Sequence, residues 1–167
     1  MINISQSFDP QFVEWRHVTD PDCHEFKVDF EYSLLGYDII NGRLDMLLRY
    51  GKRGYCRRHR HVASTVTLVL EGEQHLTEIQ PDGSSKTVLR TKGDYALASA
   101  DALPHDERGG DDGGTVLLSM QASDSILFEY FDHNMKNGWT LSIEQFVQNW
   151  KDGIIHGTAP KRAQSAA

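Results

Sequence analysis

Only two cysteines, Cys23 and Cys56, occur in 167 residues, which excludes a disulfide-built scaffold. A chain of this length buries roughly 70% of the surface it exposes when unfolded, so it needs no covalent staple. With no basic n-region and apolar h-region ahead of them, the pair reads as free thiols of a cytoplasmic protein. Long apolar runs are missing as well: even residues 44–48 are interrupted by Asp45, far short of the ~20 residues a bilayer helix needs, so no membrane partner is expected. Positive charge is in deficit. There are 24 Asp and Glu against 17 Lys and Arg, a formal charge of −7, which argues against nucleic acid because phosphate neutralisation supplies most of that affinity. Internal repeats are absent too. Residues 157–167, ending in the run AQSAA, have little to bury and are expected to be a flexible tail.

What is present is a pattern of short strands in one domain spanning residues 1–167. Phe26, Val28, Phe30 and Tyr32 alternate with polar residues, as do Leu44, Met46, Leu48 and Tyr50, the period of two of half-buried strands. Residues 65–70 (TVTLVL) are rich in β-branched side chains. Glu71-Gly72 separates them from residues 74–80 and suggests a hairpin, and Pro81-Asp82-Gly83-Ser84 marks the next turn. Gly93-Asp94 leads into residues 95–98. Residues 108–114 (RGGDDGG) read as a mobile loop before strands at 115–121 and 125–131. About ten strands at this spacing predict an all-β antiparallel sandwich or barrel. One helix is predicted over 142–152, with Ser142 and Gln145 in a capping box, apolar Ile143, Phe146, Val147 and Trp150 on one face, and Gly153 at its end. That face is expected to pack on the barrel or on a second copy of the chain.

Charge is unevenly distributed. Residues 51–61 (GKRGYCRRHRH) hold five of the 17 basic residues and no acid, so the remainder carries 12 basic against 24 acidic residues, or −12. Within this island His59-Arg60-His61, if extended, sends both imidazoles to one face about 6.7 Å apart along the backbone, close enough to converge on one ion. Arg58 and Arg60 then point to the other face, where they are expected to be solvated or paired with surplus carboxylates rather than to bind nucleic acid.

Around this pair lie further landmarks. Gly54 precedes it, Gly72 follows, and His105 stands 44 residues after His61, preceded by Gly93-Asp94 and Pro104. On these residues the chain resembles the cupins over about residues 43–131. The cupin Glu expected seven residues before Gly72 falls on Thr65, with Val66 as its neighbour, and Ser99 and Asp101 stand near the proline and glycine positions of the second motif. The resemblance implies a double-stranded β-helix barrel with N-terminal strands and a C-terminal helix, a homodimer, and a divalent metal on His59, His61 and His105. Three neutral imidazoles would leave the ion its full charge and favour an anionic, bidentate oxygen ligand. Nitrogen ligands suit Fe(II), Zn, Ni or Cu. The three-histidine pattern is similar to that of non-haem Fe(II) dioxygenases cleaving β-diketones or hydroxy-aryl ketones, which implies a small carbonyl substrate and dioxygen as partners. Two alternatives stay open: a metal-containing ligand-binding or sensor barrel without turnover, and a zinc-type hydrolase or isomerase.

Other residues complete the candidate site. Met46, Leu48, Tyr50, Thr65 and Thr67 are candidates for the pocket wall. His75 is a candidate fourth ligand or supporting group, with a satisfied barrel histidine as the plainer reading. Asp106 or Glu107 can orient a ligand imidazole through its second nitrogen, or can form a solvated acidic turn. Cys56, three residues before His59, falls on the opposite face if the strand is continuous. His17, His24, His133 and His156 lack spacing partners and read as structural or surface residues. Ser64 and Ser99 lack a nucleophile-elbow context, and Asp132-His133 is no triad.

Overall fold

The alternating segments become ten strands and one helix in the computed structural model, which describes residues 13–132 and 134–153. His133, His156 and the predicted tail at 157–167 lie outside the described residues. In chain order the elements are β1 (Arg16–Asp20), β2 (Val28–Asp38), β3 (Arg43–Tyr50), β4 (His59–His61), β5 (Ser64–Ile79), β6 (Ser85–Thr91), β7 (Tyr95–Ala98), β8 (His105–Gln121), β9 (Ile126–Tyr130), β10 (Trp139–Ser142) and α1 (Ile143–Asp152). The strands form one antiparallel sheet in the order β1-β2-β3-β8-β4-β9-β10, with β5 alongside β8 and carrying β6 and β7. It curls around a core to which β3 contributes Leu44, Met46, Leu48 and Tyr50, and β8 contributes Val116, Leu118 and Met120. Register builds this core in layers: Met46 lies opposite Leu118, and Leu118 opposite Thr67.

Two expectations about local structure are corrected. Glu71-Gly72 is not a hairpin turn, and residues 108–114 are not a mobile loop. Both segments lie inside the long strands β5 and β8, which pair across them. Glycine explains both. Gly72 has φ +64° and sits opposite Gly114, and a Cβ on Gly72 would lie 2.5 Å from the Gly113 carbonyl oxygen. The two strands therefore bulge together at this level, a distortion that reads as turn chemistry when seen one strand at a time. The bulge also reverses which residues face inward: Thr65, Thr67 and Val69 are buried before it, Gln74 and Leu76 after it. A matching reversal on β8 puts His105 and Glu107 inside at one end, and Val116, Leu118 and Met120 inside at the other. The turn at Pro81-Asp82-Gly83-Ser84 does join β5 to β6, closed by Gln80 N–H donating to the Ser84 carbonyl at 2.8 Å.

Helix α1 starts and stops as its sequence directs. Ser142 and Gln145 form the reciprocal capping box, and Gly153 ends the helix in the left-handed conformation. Ile143, Phe146 and Val147 are buried, and Tyr32 of β2 meets Phe146 and Trp150 edge-on, so this face packs on the barrel. The cations of the basic island are paired: Arg57 with Asp20, Arg58 with Asp106 and Glu25, and Arg60 with Glu129 and Asp101. No helix among the described residues is long and apolar enough to cross a membrane.

Candidate metal centre

Strand pairing brings the histidines together. β4 lies between β8 and β9 with His59 directly opposite His105, and the period of two puts His61 and Glu107 on the same inner face. All four side chains are buried, and one ligand-type atom of each lies within 4.8 Å of the others. The His59 and His61 Nε2 atoms are 3.2 Å apart. Glu107 Oε2 is 3.5 Å from His59 Nε2 and 3.8 Å from His105 Nε2.

The hydrogen bonds on the far side of each ring fix what faces inward. His59 Nδ1 is 2.7 Å from the Arg57 carbonyl and His105 Nδ1 is 2.9 Å from the Leu103 carbonyl, acceptors that require an N–H. His61 Nδ1 is 2.8 Å from Thr65 Oγ1, which is also 3.1 Å from the Ala63 carbonyl; with the hydroxyl proton given to that carbonyl, Oγ1 accepts from His61 Nδ1–H. In this tautomer all three protons of the neutral rings sit on Nδ1, and three Nε2 lone pairs converge beside a carboxylate. His105 Nε2 is buried with no hydrogen-bond partner. Lone pairs 3.2 Å apart in a dry interior are unfavourable by themselves and complementary to a cation. The residues fit a divalent metal.

The electrostatics favour the ligand forms. Burial, reinforced by its two neighbouring imidazoles, holds the His61 pKa well below the ordinary histidine value. Burial and His59 lower His105 to about 4 against the opposing pull of Glu107. Burial alone would raise the Glu107 carboxyl; His59, His105 and hydrogen bonds from Tyr50 and Gln74 outweigh it and leave the group below its ordinary value. Tyr50 is driven the other way, first by burial and then by the Glu107 charge, so its hydroxyl stays protonated and donates to Glu107 Oε1. Gln74 Nε2 donates to the same oxygen at 2.6 Å.

The remaining candidates separate cleanly. Thr65 stands behind His61, bonded to its Nδ1. Met46, Leu48 and Tyr50 face inward from β3, and Thr67 is buried opposite Leu118. His75 lies outside the cluster, its Nε2 2.8 Å from Glu73 and its Nδ1 3.2 Å from Arg108, because the bulge at Gly72 turns Gln74 inward in its place. Asp106 points outward to Arg58. Cys56 precedes β4 and lines the same cavity as His59, a correction to the opposite-face expectation that arises because β4 does not extend back to it. Its thiol is kept protonated by burial and the Glu107 charge. Glu107 does not orient an imidazole through its second nitrogen: carbonyls and Thr65 take the Nδ1 atoms, and Glu107 stands beside the Nε2 atoms of His59 and His105. The signal lies in the period of two, since His105-Asp106-Glu107 repeats the spacing of His59-Arg60-His61. Gln74 has no such signal, because its inward direction depends on the bulge.

Beside the cluster, Phe30, Met46, Leu48, Leu118, Phe128 and Tyr130 line a small, mainly apolar cavity of ≈ 30 Å³ that His59 and Glu107 also border. This volume holds a water or two.

No family model and no curated protein matches the sequence. Solved structures do match the fold. An acetylacetone dioxygenase from Acinetobacter johnsonii aligns with 91% of this chain and 93% of its own at a TM-score of 0.62 and 12% identity. An RmlC-like cupin protein from Ralstonia eutropha matches at a TM-score of 0.62 and 12% identity, covering 90% of each chain. The fold is that of the cupins. A mutant of Bacillus subtilis oxalate decarboxylase is similar over 89% of this chain and 37% of its own, at a TM-score of 0.53 and 15% identity. One cupin barrel thus serves proteins named for different reactions, and function has to be argued from the site.

Proposed function

We propose that this cupin is a metal-dependent enzyme, a non-haem Fe(II) dioxygenase that cleaves a small carbonyl compound of the diketone type. The observation that carries the metal site is the convergence of the Nε2 atoms of three buried imidazoles beside one buried carboxylate, with backbone carbonyls behind the Nδ1 atoms of His59 and His105. His59, His61, His105 and Glu107 would hold the ion. Three neutral imidazoles and one carboxylate leave a divalent ion with a net charge of +1, so a single enolate completes neutrality. Four protein ligands would close a tetrahedral zinc site but leave positions open on a six-coordinate ion, which favours Fe(II) or Ni over a zinc-type hydrolase. When bound, the iron supplies Lewis acidity and one-electron chemistry toward dioxygen.

The chain's own residues set the conditions for that chemistry. The apolar wall of Met46, Leu48, Leu118 and Phe128 gives the cluster a low-dielectric border, and these side chains would have to move apart to admit a carbonyl compound beside it. Cys56, a protonated thiol, adds no competing thiolate. The similarity to acetylacetone dioxygenase supports this choice of substrate class. The free thiols of Cys23 and Cys56 support a cytoplasmic setting. Tyr95 and Leu97, 63% and 68% exposed on β7, support association into a homodimer.

The decisive experiment is metal analysis of protein purified without added metal, followed by anaerobic Fe(II) loading and dioxygen-uptake assays with β-diketones and aryl ketones. Uptake that requires both iron and a carbonyl compound is expected. Iron-loaded protein that consumes no dioxygen across the panel overturns the dioxygenase reading and leaves a binding or sensor barrel.

A further inference from the structure

Behind Glu107 runs a chain of polar contacts that reaches the outer strand β6. Arg90 Nη1 donates to Gln74 Oε1 at 3.0 Å, and Gln74 Nε2 donates to Glu107 Oε1 at 2.6 Å. The direction of the amide follows from chemistry. A guanidinium has only donors and a carboxylate only acceptors, so the amide oxygen must face Arg90 and the NH₂ must face Glu107. Gln74 is 1% exposed and sits on β5 opposite Gly109. A Cβ at Gly109 would lie 2.7 Å from the Tyr50 Cβ, so the missing side chain lets Tyr50 approach the same carboxylate.

We propose that Gln74, oriented by Arg90, is a positioning residue for the metal centre: with Tyr50 it occupies Oε1 of Glu107 and leaves Oε2 as the single oxygen presented to the ion. The inference rests on the metal-centre reading above. It follows from the division of labour between the two oxygens. Oε1 receives the hydroxyl of Tyr50 and the amide of Gln74, while Oε2 is the atom nearest His59 and His105. Holding the carboxylate to one ligating oxygen keeps a coordination position for substrate that a two-oxygen mode would close. The amide supplies a donor without adding charge. A glutamate at position 74 would set two carboxylates together, and an apolar residue would leave Oε1 held by Tyr50 alone and so less restrained from turning toward the ion.

The test uses Co(II) as probe, with affinity read by calorimetry and coordination read by visible absorption. Gln74→Met keeps the length of the side chain and removes its donor. A loss of Co(II) affinity of roughly tenfold to a hundredfold is expected, with weaker visible absorption as the carboxylate takes a second coordination position. Val69→Ala, a buried change on the same strand away from Glu107, should lower stability yet leave affinity and spectrum alone. Arg90→Met, on the outer strand, should shift both in the direction of Gln74→Met by a smaller amount, and it carries the test if the Gln74 variant does not fold. Wild-type affinity and spectrum in the Gln74 and Arg90 variants overturn the inference while the metal centre stands; so does an equal effect from Val69→Ala. A wild-type chain that takes up no Co(II) overturns the metal-centre reading and this inference with it.

Discussion

Each imidazole of the cluster has one nitrogen committed to the protein and one left for a cation. The metal stoichiometry should therefore depend on His105 far more than on residues that merely stack nearby. His105→Ala should drop bound metal from about one per chain toward zero in elemental analysis, with the far-ultraviolet circular dichroism of the barrel retained. Glu107→Gln separates a ligand from a supporting group: as a ligand, its loss should weaken metal binding beyond the ~10–100-fold that removal of a supporting partner costs. A smaller effect would move Glu107 out of the coordination set. The same histidines make a pH prediction for the metal-free chain. His61 and His105 have folded pKa values below the unfolded value of ~6.5, so below that pH the unfolded chain binds protons that the folded chain refuses. Their contribution thus lowers stability as pH falls from ~6.5 to about 4, the folded value of His105, and changes little above neutrality. Thermal melts of chelator-treated protein across this range check the sign; a stability that rises on acidification to pH 5 would contradict it.

The paired bulge of β5 and β8 is the element-scale device that assembles the site. It allows β8 to present Leu118 to the apolar wall at one end and His105 with Glu107 to the histidine cluster at the other. Gly109→Ala would force a Cβ against Tyr50, at a cost of roughly 1–3 kcal/mol for overpacking, and should weaken metal binding as well by displacing the Tyr50 hydroxyl from Glu107. Calorimetric melts and metal titration of one preparation test both effects. Helix α1 is legible at this scale from its caps alone, because the capping box is a local hydrogen-bond arrangement needing no tertiary partner. β5 and β8 are not, since Glu71-Gly72 and Gly109 to Gly114 carry the same residues as a turn, and only the opposing strand makes them bulges.

At the scale of the whole molecule, β7 leaves Tyr95 and Leu97 exposed beside one another in the alternate pattern of a strand face. If copies associate through this face, Leu97→Glu should shift the sedimentation profile from dimer to monomer while metal binding is retained. A dimer unaffected by the change would place the interface elsewhere. The basic island is likewise answered only at this scale: Arg57, Arg58 and Arg60 are neutralised piecewise by Asp20, Glu25, Asp101, Asp106 and Glu129 drawn from distant segments.

The strand periodicity, the His59-Arg60-His61 pair, the spacing to His105 and the capped helix are properties of short stretches, and the sequence by itself determined them. The placing of Glu107 beside the Nε2 atoms rather than behind a ring, the inward turn of Gln74, and the exclusion of His75 were decided only by tertiary structure. Which face of a strand a residue occupies follows from counting by two, and that count is reset wherever two strands bulge against each other. A local pattern names the residues able to bind an ion. The register between strands chooses which of them meet.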